Sequence, residues 1–313
     1  MPIATKRKTE ARKEAPIIEA EPEPRPLQEE QAPAPKVTAL IFSYDSAPAL
    51  RRCLTALEGS KDRNLIEILV VDCGSHDESP QIDSEFPGIN VLRLPRYFGR
   101  TKAYNIGTRT ALGEYLFFLM PDVEVLPTTI PALLARLESD SEAAAVCPLL
   151  VDTEAQPAVQ FYTLPAPQSP DPAPVTIDKT ADAVAVEYAT FQAFLVRKYF
   201  VKGINFFDER YGEFGADLEL CFQIRRASRK ILALPPITVL YTANSPYSES
   251  SRNILDADRI HGLAVYFGKH FGLLFSLFFR LKNAAKCLFT GRFSVFLALV
   301  SFSKIDGSQS EIL

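Results

Sequence analysis

From Val37 onward, short and wholly apolar runs alternate with amphipathic stretches. VTALIFSY starts at Val37, IEILVVD at Ile66, INVLRL at Ile89 and EYLFFLMPDVEV at Glu114, while LRRCLTAL, starting at Leu50, carries its apolar residues at helical spacing. Runs without polar alternation predict strands buried on both faces, and strands separated by helices predict a mostly parallel sheet between helical layers. The expected fold is therefore α/β, with right-handed crossovers. No internal repeat is visible. Residues 1–36 break this pattern: Glu, Pro, Ala and Lys alternate and the segment ends in QAPAPK. Such a composition cannot bury enough apolar surface to offset ordering entropy, so a disordered tail is expected there.

Composition narrows the function classes. With 313 residues, 47% hydrophobic, the chain can build a large core, and a net charge of -4 gives no reason to expect a nucleic-acid partner. Five cysteines, at 53, 73, 147, 221 and 287, show no CxxC spacing. A disulfide framework or structural zinc site is therefore not expected, and a reducing cytoplasm fits best. The opening MPIATKRKTEARKEA lacks the apolar stretch of a signal peptide, so secretion is not expected.

In open α/β sheets ligands bind beyond the carboxyl ends of the strands. The polar residues that finish each apolar run are the candidates: Ser43 to Asp45, Asp72 to Asp77, Arg96 to Asn105, and Asp122 with Glu124. The stretch LVVDCGSHDES, starting at Leu69, leaves three readings open: a metal cluster, an activated thiol, or a turn that grips a ligand through backbone and carboxylate.

VTALIFSYDSAPALRRCLTAL, VVDCGSHDES, RYFGRTKAYNIGTRTALGEYLFFLMPDVEV, FDERYGEFGADLELCFQIRRA and YFGKHFG occur here in the order and spacing of one family. The chain resembles the family 2 glycosyltransferases of the GT-A fold, particularly their bacterial rhamnosyltransferase-like branch, over residues 37–272. Several ordered blocks are far more specific than any one motif. The resemblance implies a nucleotide-sugar half over residues 37–126, an acceptor half over 127–272 and a separate C-terminal segment over 273–313. It also implies roles. Asp72, Gly74, Ser75 and Asp77 match the Asp-Asn-Gly-Ser-x-Asp turn, in which the first Asp meets the pyrimidine base; Cys73 takes the Asn position, which weakens the metal and thiol readings. Asp77 is equally a helix cap. Ser43 and Tyr44 fall where the family contacts the base, although Tyr44 is also a natural packing residue. RYFGRTKAYNIG resembles the Asn-x-Gly-Phe-x-x-Ala-x-Asn-x-Gly block, so Gly99 and Asn105 belong to the donor loop. Arg100 and Lys102 there bring positive charge for a diphosphate, or else form a solvated basic loop.

Asp122, in MPDVEV, matches the metal-binding Asp, which implies a divalent cation, Mg2+ or Mn2+, on the donor diphosphate. Glu124 is a second candidate on the same side of the strand. Asp217, in GADLELC, matches the general base that takes the acceptor proton; Asp217 and Glu219 could instead complement a helix dipole. Three departures stand out: Met120 for Asn, Ala216 for Glu and Tyr241 for His. A phenol is a poor metal ligand. Phe191 and Gln192 also differ from the usual small residues.

The resemblance implies an inverting transferase moving a sugar from a UDP- or dTDP-sugar to a glycan or lipid-linked acceptor in cell-surface polysaccharide synthesis. The departures support an alternative, a catalytically degenerate protein that binds nucleotide or glycan as a partner subunit. A nucleotidyltransferase would require a Gly-rich, Lys-containing loop after the first strand, which is absent. Residues 152–186 form a Pro-rich insertion with no acceptor signature. In HFGLLFSLFFRLKNAAKCLFTGRFSVFLALVSFSK there is no Asp or Glu, and Arg280, Lys282, Lys286 and Arg292 interrupt the apolar clusters. Two readings remain: a peripheral helix at the inner face of the cell membrane, or a helix pair packed on the catalytic domain. His261 and His270 are expected to be structural.

Overall fold

The computed structural model describes residues 34–242, 249–300 and 305. Of the tail expected over residues 1–36, all but the last three residues lie outside this range. The strands are β1 (Val37–Ser43), β2 (Ile66–Asp72), β3 (Asn90–Arg93), β4 (Tyr115–Leu119), β5 (Val123–Glu124), β6 (Ala143–Val151), β7 (Phe161–Tyr162), β8 (Val184–Val186), β9 (Tyr188–Ala189), β10 (Ala193–Arg197) and β11 (Lys230–Tyr241). The helices are α1 (Ala47–Glu58), α2 (Arg100–Thr110), α3 (Thr129–Ser139), α4 (Lys198–Gly203), α5 (Ala216–Arg226), α6 (Glu249–His270), α7 (Leu273–Phe289) and α8 (Phe293–Val300).

One sheet runs β3-β2-β1-β4-β10-β6-β11-β5, with β8 added alongside β11. Its first four strands are parallel, as the sequence pattern predicts. The second half is mixed, because β10 lies antiparallel to both β4 and β6. Side-chain alternation divides the core in two. Leu40 and Phe42 of β1 join Leu69 and Val71 of β2 on one face, under Ala103 and Tyr104 of α2 and Leu220, Cys221 and Ile224 of α5. Ala39 and Ile41 join Ile68 and Val70 on the other, under α1 and α3. All seven residues of β1 and of β2 are buried. Burying a large aliphatic side chain contributes roughly 1.5–3 kcal/mol, so these central strands fix the register of the rest.

The chain direction creates the crevice. From β1 the sheet grows through β2 and β3 on one side and β4 on the other, so the loops after β1 and β4 diverge where the strand order reverses. Because β10 is antiparallel, with Ala193 opposite Leu119, its first end meets the last end of β4 and delivers Thr190 to Gln192 to the same edge. Across the Pro-rich insertion, β7 pairs with β9, which lies just beyond it, and brings Tyr162 opposite Tyr188.

Toward the C-terminus, α6 packs against α7 and α8 through Phe267 with Phe279 (ring centroids 5.0 Å apart) and through a small cluster of Ala257, Cys287, Val295 and Leu299. Among the described residues, no helix is long and apolar enough to cross a membrane.

Candidate active site

At the carboxyl edge lies a cavity of about 380 Å³, lined among others by Tyr44, Arg100, Tyr104, Asp122, Tyr188, Glu213, Asp217, Tyr241 and Arg259. This volume falls in the range that small-molecule sites occupy. Widely separated stretches of chain meet there.

Asp122 follows β4 in a tight turn. Val123 N–H donates to Met120 O (3.2 Å), Met120 N–H donates to Gln192 O (3.0 Å), and Thr242 N–H donates to Asp122 O (3.0 Å). The backbone of Asp122 is thus fixed by β10 and β11 together. Tyr241 lies beside it; burial foremost, and the nearby Asp122 charge, raise its phenol above the ordinary value, and it hydrogen-bonds Gln192. It therefore remains a neutral hydroxyl. Glu124 turns away to pair with Arg52 (2.9 Å) and does not join the cavity wall.

Asp217 is the second residue of α5, where the helix dipole favours negative charge. Its Oδ1 accepts from Leu218 N–H (2.8 Å) and its Oδ2 from the Tyr188 hydroxyl (3.1 Å). Burial raises its carboxyl above the ordinary value, opposed by these two donors and by Arg100. A carboxylate with raised basicity, fixed at a cavity wall, can accept a proton.

Arg100 begins α2 and faces Glu213, whose side chain is fully buried; Nε and Oε1 are 2.5 Å apart. Glu213 also accepts the Arg100 N–H (3.1 Å) and the Tyr97 hydroxyl, and Gly212 O accepts the Thr101 N–H (3.1 Å). Residues 212–213 thereby cap α2 and orient the arginine. Behind them Asp258 of α6 accepts from Glu213 N–H (2.7 Å), Phe214 N–H (3.2 Å) and Ile305 N–H (3.1 Å). Its carboxyl is pushed up to about 6, burial being the main cause.

Of the residues singled out in the sequence, Tyr44, Arg100, Asp122 and Asp217 come together on the cavity wall, with Tyr44 edge-on to Tyr97 (4.5 Å between ring centroids). Met120, Phe191, Gln192, Ala216 and Tyr241, the departures from the family pattern, line it too, whereas the other predicted binding residues are not part of its lining. Asp72 is opposite Ser43 in the β1–β2 register, and its carboxylate is held by Ser75 through N–H (3.2 Å) and hydroxyl. Burial raises it, against the lowering effect of those bonds. Ser43 bonds Ser46 (3.0 Å). Gly74, at φ +75°, approaches Arg96 so closely that a Cβ would lie 2.6 Å from the Arg96 Cα. Gly99, at φ +84°, abuts Gly212 in the same manner. Asn105 staples α2 to Phe207, donating to its O (2.8 Å) and accepting its N–H (2.9 Å). Lys102 sits over the Phe98 ring (4.1 Å), away from the cavity.

At LVVDCGSHDES the activated-thiol reading does not hold. Cys73 is buried in the core, where burial pushes its thiol up, so it is no activated nucleophile. Asp77 accepts both Ser79 N–H (2.9 Å) and Ala47 N–H (2.8 Å), capping the start of α1 as well as its own turn. Glu219 turns back to His270 (2.8 Å) and Lys269 (2.9 Å), and these partners, with Gln223, hold it near 2 against the burial that would raise it. His270 is thus structural.

Sequence reasoning had not reached Tyr162, Tyr188, Glu213 and Arg259. Each comes to the site through long-range packing, and no local motif marks it. Among the described residues no three His, Cys, Asp or Glu side chains form a metal cage. A divalent cation bound mainly by diphosphate oxygens and water needs only one or two protein carboxylates. Asp122, backbone-fixed on the cavity wall, supplies one, so this donor set fits such an ion as a half-site.

The sheet order and the crevice define a GT-A glycosyltransferase fold. The same fold is seen in GalNAc-T7 with UDP, GalNAc and Mn2+ (TM-score 0.59, 18% identity, 74% of this chain and 47% of that one). It is also seen in a mannosyltransferase from Pyrobaculum calidifontis in complex with GDP-Man and Mn2+ (TM-score 0.55, 15% identity, 86% and 74%). Residues 38–199 match the family described as Glycosyl transferase family 2, and the chain belongs to that family. Among curated relatives, polypeptide N-acetylgalactosaminyltransferase 12 of Mus musculus is 32% identical over 123 residues, 37% of this chain and 21% of that protein. The matched stretch spans 19–38% of the curated relatives' own length.

Proposed function

We propose that the protein transfers a sugar from a UDP- or dTDP-sugar, with inversion, to a glycan or lipid-linked acceptor in the cytoplasm, as a step of cell-surface polysaccharide synthesis. The observation that carries this reading is the meeting of Asp122, Asp217, Arg100 and Tyr44, from four separate segments, on one cavity wall. Asp217 takes the proton of the acceptor hydroxyl while that oxygen bonds to the anomeric carbon. The bond to the nucleoside diphosphate breaks on the opposite face, and its electron pair leaves on the diphosphate oxygen. Arg100 faces the charge that develops there. Asp122 is the residue that would hold a divalent cation, which when bound supplies Lewis-acid neutralisation of the leaving diphosphate. Tyr162, Tyr188 and Pro172, from β7, β9 and the insertion, give an aromatic wall with hydroxyl edges, suited to a sugar that has both apolar and polar faces. Asp72, Gly74, Ser75 and Gly99 act in this scheme by shaping the loops beside the wall, and Lys102 and Asn105 by fixing α2 against Phe98 and Phe207.

The test is nucleotide titration of the whole chain, with UDP and dTDP, in the presence and absence of Mn2+. The proposal expects metal-dependent binding that Asp122→Asn weakens about tenfold or more, and slow hydrolysis of the matching donor. A second reading, nucleotide or glycan binding without turnover, draws on Met120, Ala216 and Tyr241, all of which line the cavity. Metal-independent binding, unaffected by Asp122→Asn and without donor hydrolysis, favours that reading.

A further inference from the structure

The described residues expose 16 large hydrophobic side chains, and ten of them lie on α7 and α8. Scattered single exposures are ordinary, but a concentration on adjoining helices marks an interaction surface. On α7, Leu274, Phe278, Leu281 and Leu288 follow helical spacing along one face, while Phe279 and Cys287 on the opposite side pack inward. On α8, Phe293 and Leu297 repeat the pattern, with Val295 and Leu299 buried. The helices are thus anchored on α6 by one side and left apolar on the other.

Charge identifies the occupant. No Asp or Glu occurs between Arg259 and Ile305. Arg280 donates to Leu299 O (2.8 Å) and Arg292 pairs with Asp256, so these two serve the fold. Lys282 and Lys286 are exposed, one turn apart beside the apolar stripe, and make no ion pair among the described residues. A two-fold dimer would set this patch against itself and bring lysines of like sign together. A bilayer with anionic headgroups accepts both features, because apolar side chains enter the acyl boundary while the lysine stems reach the headgroups.

We infer that the outer face of α7 and α8 is a docking surface for an anionic lipid bilayer, on which the helices lie in the plane of the interface. The same α6 that carries these helices contributes Arg259 and Leu263 to the cavity wall. Helix axes pack about 8–10 Å apart, so docking holds the cavity about one helix layer from the lipid surface. The inference does not depend on sugar transfer, since vesicle binding is read without any reaction.

Co-sedimentation of the full chain with vesicles of neutral phosphatidylcholine, or of phosphatidylcholine with phosphatidylglycerol, tests it. Binding is expected on the anionic vesicles and should fall at high salt. Lys282→Gln with Lys286→Gln should weaken it by about 25-fold, taking about fivefold per lysine at the surface. Phe278→Ser with Leu281→Ser should abolish it, while an unchanged melting temperature and unchanged nucleotide binding show that the fold is intact. Three results would overturn the inference: no binding to either vesicle, binding to anionic vesicles indifferent to both pairs of substitutions, or a solution dimer that the apolar pair dissociates.

Discussion

Glu213→Gln tests how the site is held together. The side chain of Glu213 is fully buried and that of Arg100 is 23% exposed, with 2.5 Å between their charged groups. Glutamine keeps the shape and can still accept from Tyr97, so the change isolates the charge. Removing one member of a buried pair costs about 3–5 kcal/mol, and the exposure of Arg100 toward the cavity places the value near the lower end, about 3 kcal/mol. At about 2 °C per kcal/mol for a domain of this size, the melting temperature should fall by about 6 °C. A double-mutant cycle with Arg100→Gln should show the double variant less destabilised than the sum of the singles, since neither then leaves an uncompensated charge. UDP should stabilise Glu213→Gln more than the unaltered protein, because a diphosphate offers the arginine a replacement anion. A melting temperature within about 1 °C of the parent would refute the structural role of the pair, and a strictly additive cycle would refute its coupling.

Three further outcomes follow from the same geometry. Gly74→Ala forces a Cβ against the Arg96 backbone at φ +75° and should cost more than about 1 kcal/mol, read as a lower melting temperature; an unchanged one contradicts the close approach. Asp258 titrates at about 6 in the folded chain against 3.8 as its ordinary value, so the native state keeps a proton that the unfolded state has lost. Stability should therefore decline as pH rises from about 4 to 6, by an amount on the order of 3 kcal/mol, and stay at the lower level above that window. Asp258→Asn should flatten that part of the denaturation profile, and an identical pH slope in both proteins would count against it. Tyr188→Phe removes a donor to Asp217, so its carboxyl should rise further and the acidic limb of the kcat/KM profile should move to higher pH; an unmoved limb excludes the contact from the reaction.

Much of this fold is legible in the chain because its central strands are wholly apolar. IEILVVD, read from the pattern, is β2 residue for residue, and EYLFFL holds β4. The antiparallel insertion of β10 between β4 and β6 is not legible, since strand order is decided by tertiary packing. The candidate site divides along the same line. Asp122 sits in the turn after a strand and Asp217 in the first turn of a helix, positions that local sequence reveals. Which way a side chain turns depends on its partners, near and distant. Arg52 draws Glu124 outward, the Phe98 ring takes Lys102, and Ser75 occupies the Asp72 carboxylate. Glu213 looks like one more surface acid in the sequence, and only the arrival of α2 and α6 makes it a buried partner. On α7, the sequence left membrane face and packing face as alternatives; the helix packs inward through Phe279 and Cys287 and leaves Leu274, Phe278 and Leu281 exposed on the other side.

The central claim is that Asp217 accepts the acceptor proton in a cavity that also holds the donor. Asp217→Asn keeps the Tyr188 and Leu218 neighbours but removes the basic carboxylate. The direct measurement is single-turnover transfer from the best-bound nucleotide-sugar, with donor affinity measured alongside. The account predicts a rate lowered by about 10²–10⁴ with donor affinity nearly unchanged. An unaltered transfer rate in Asp217→Asn would contradict it.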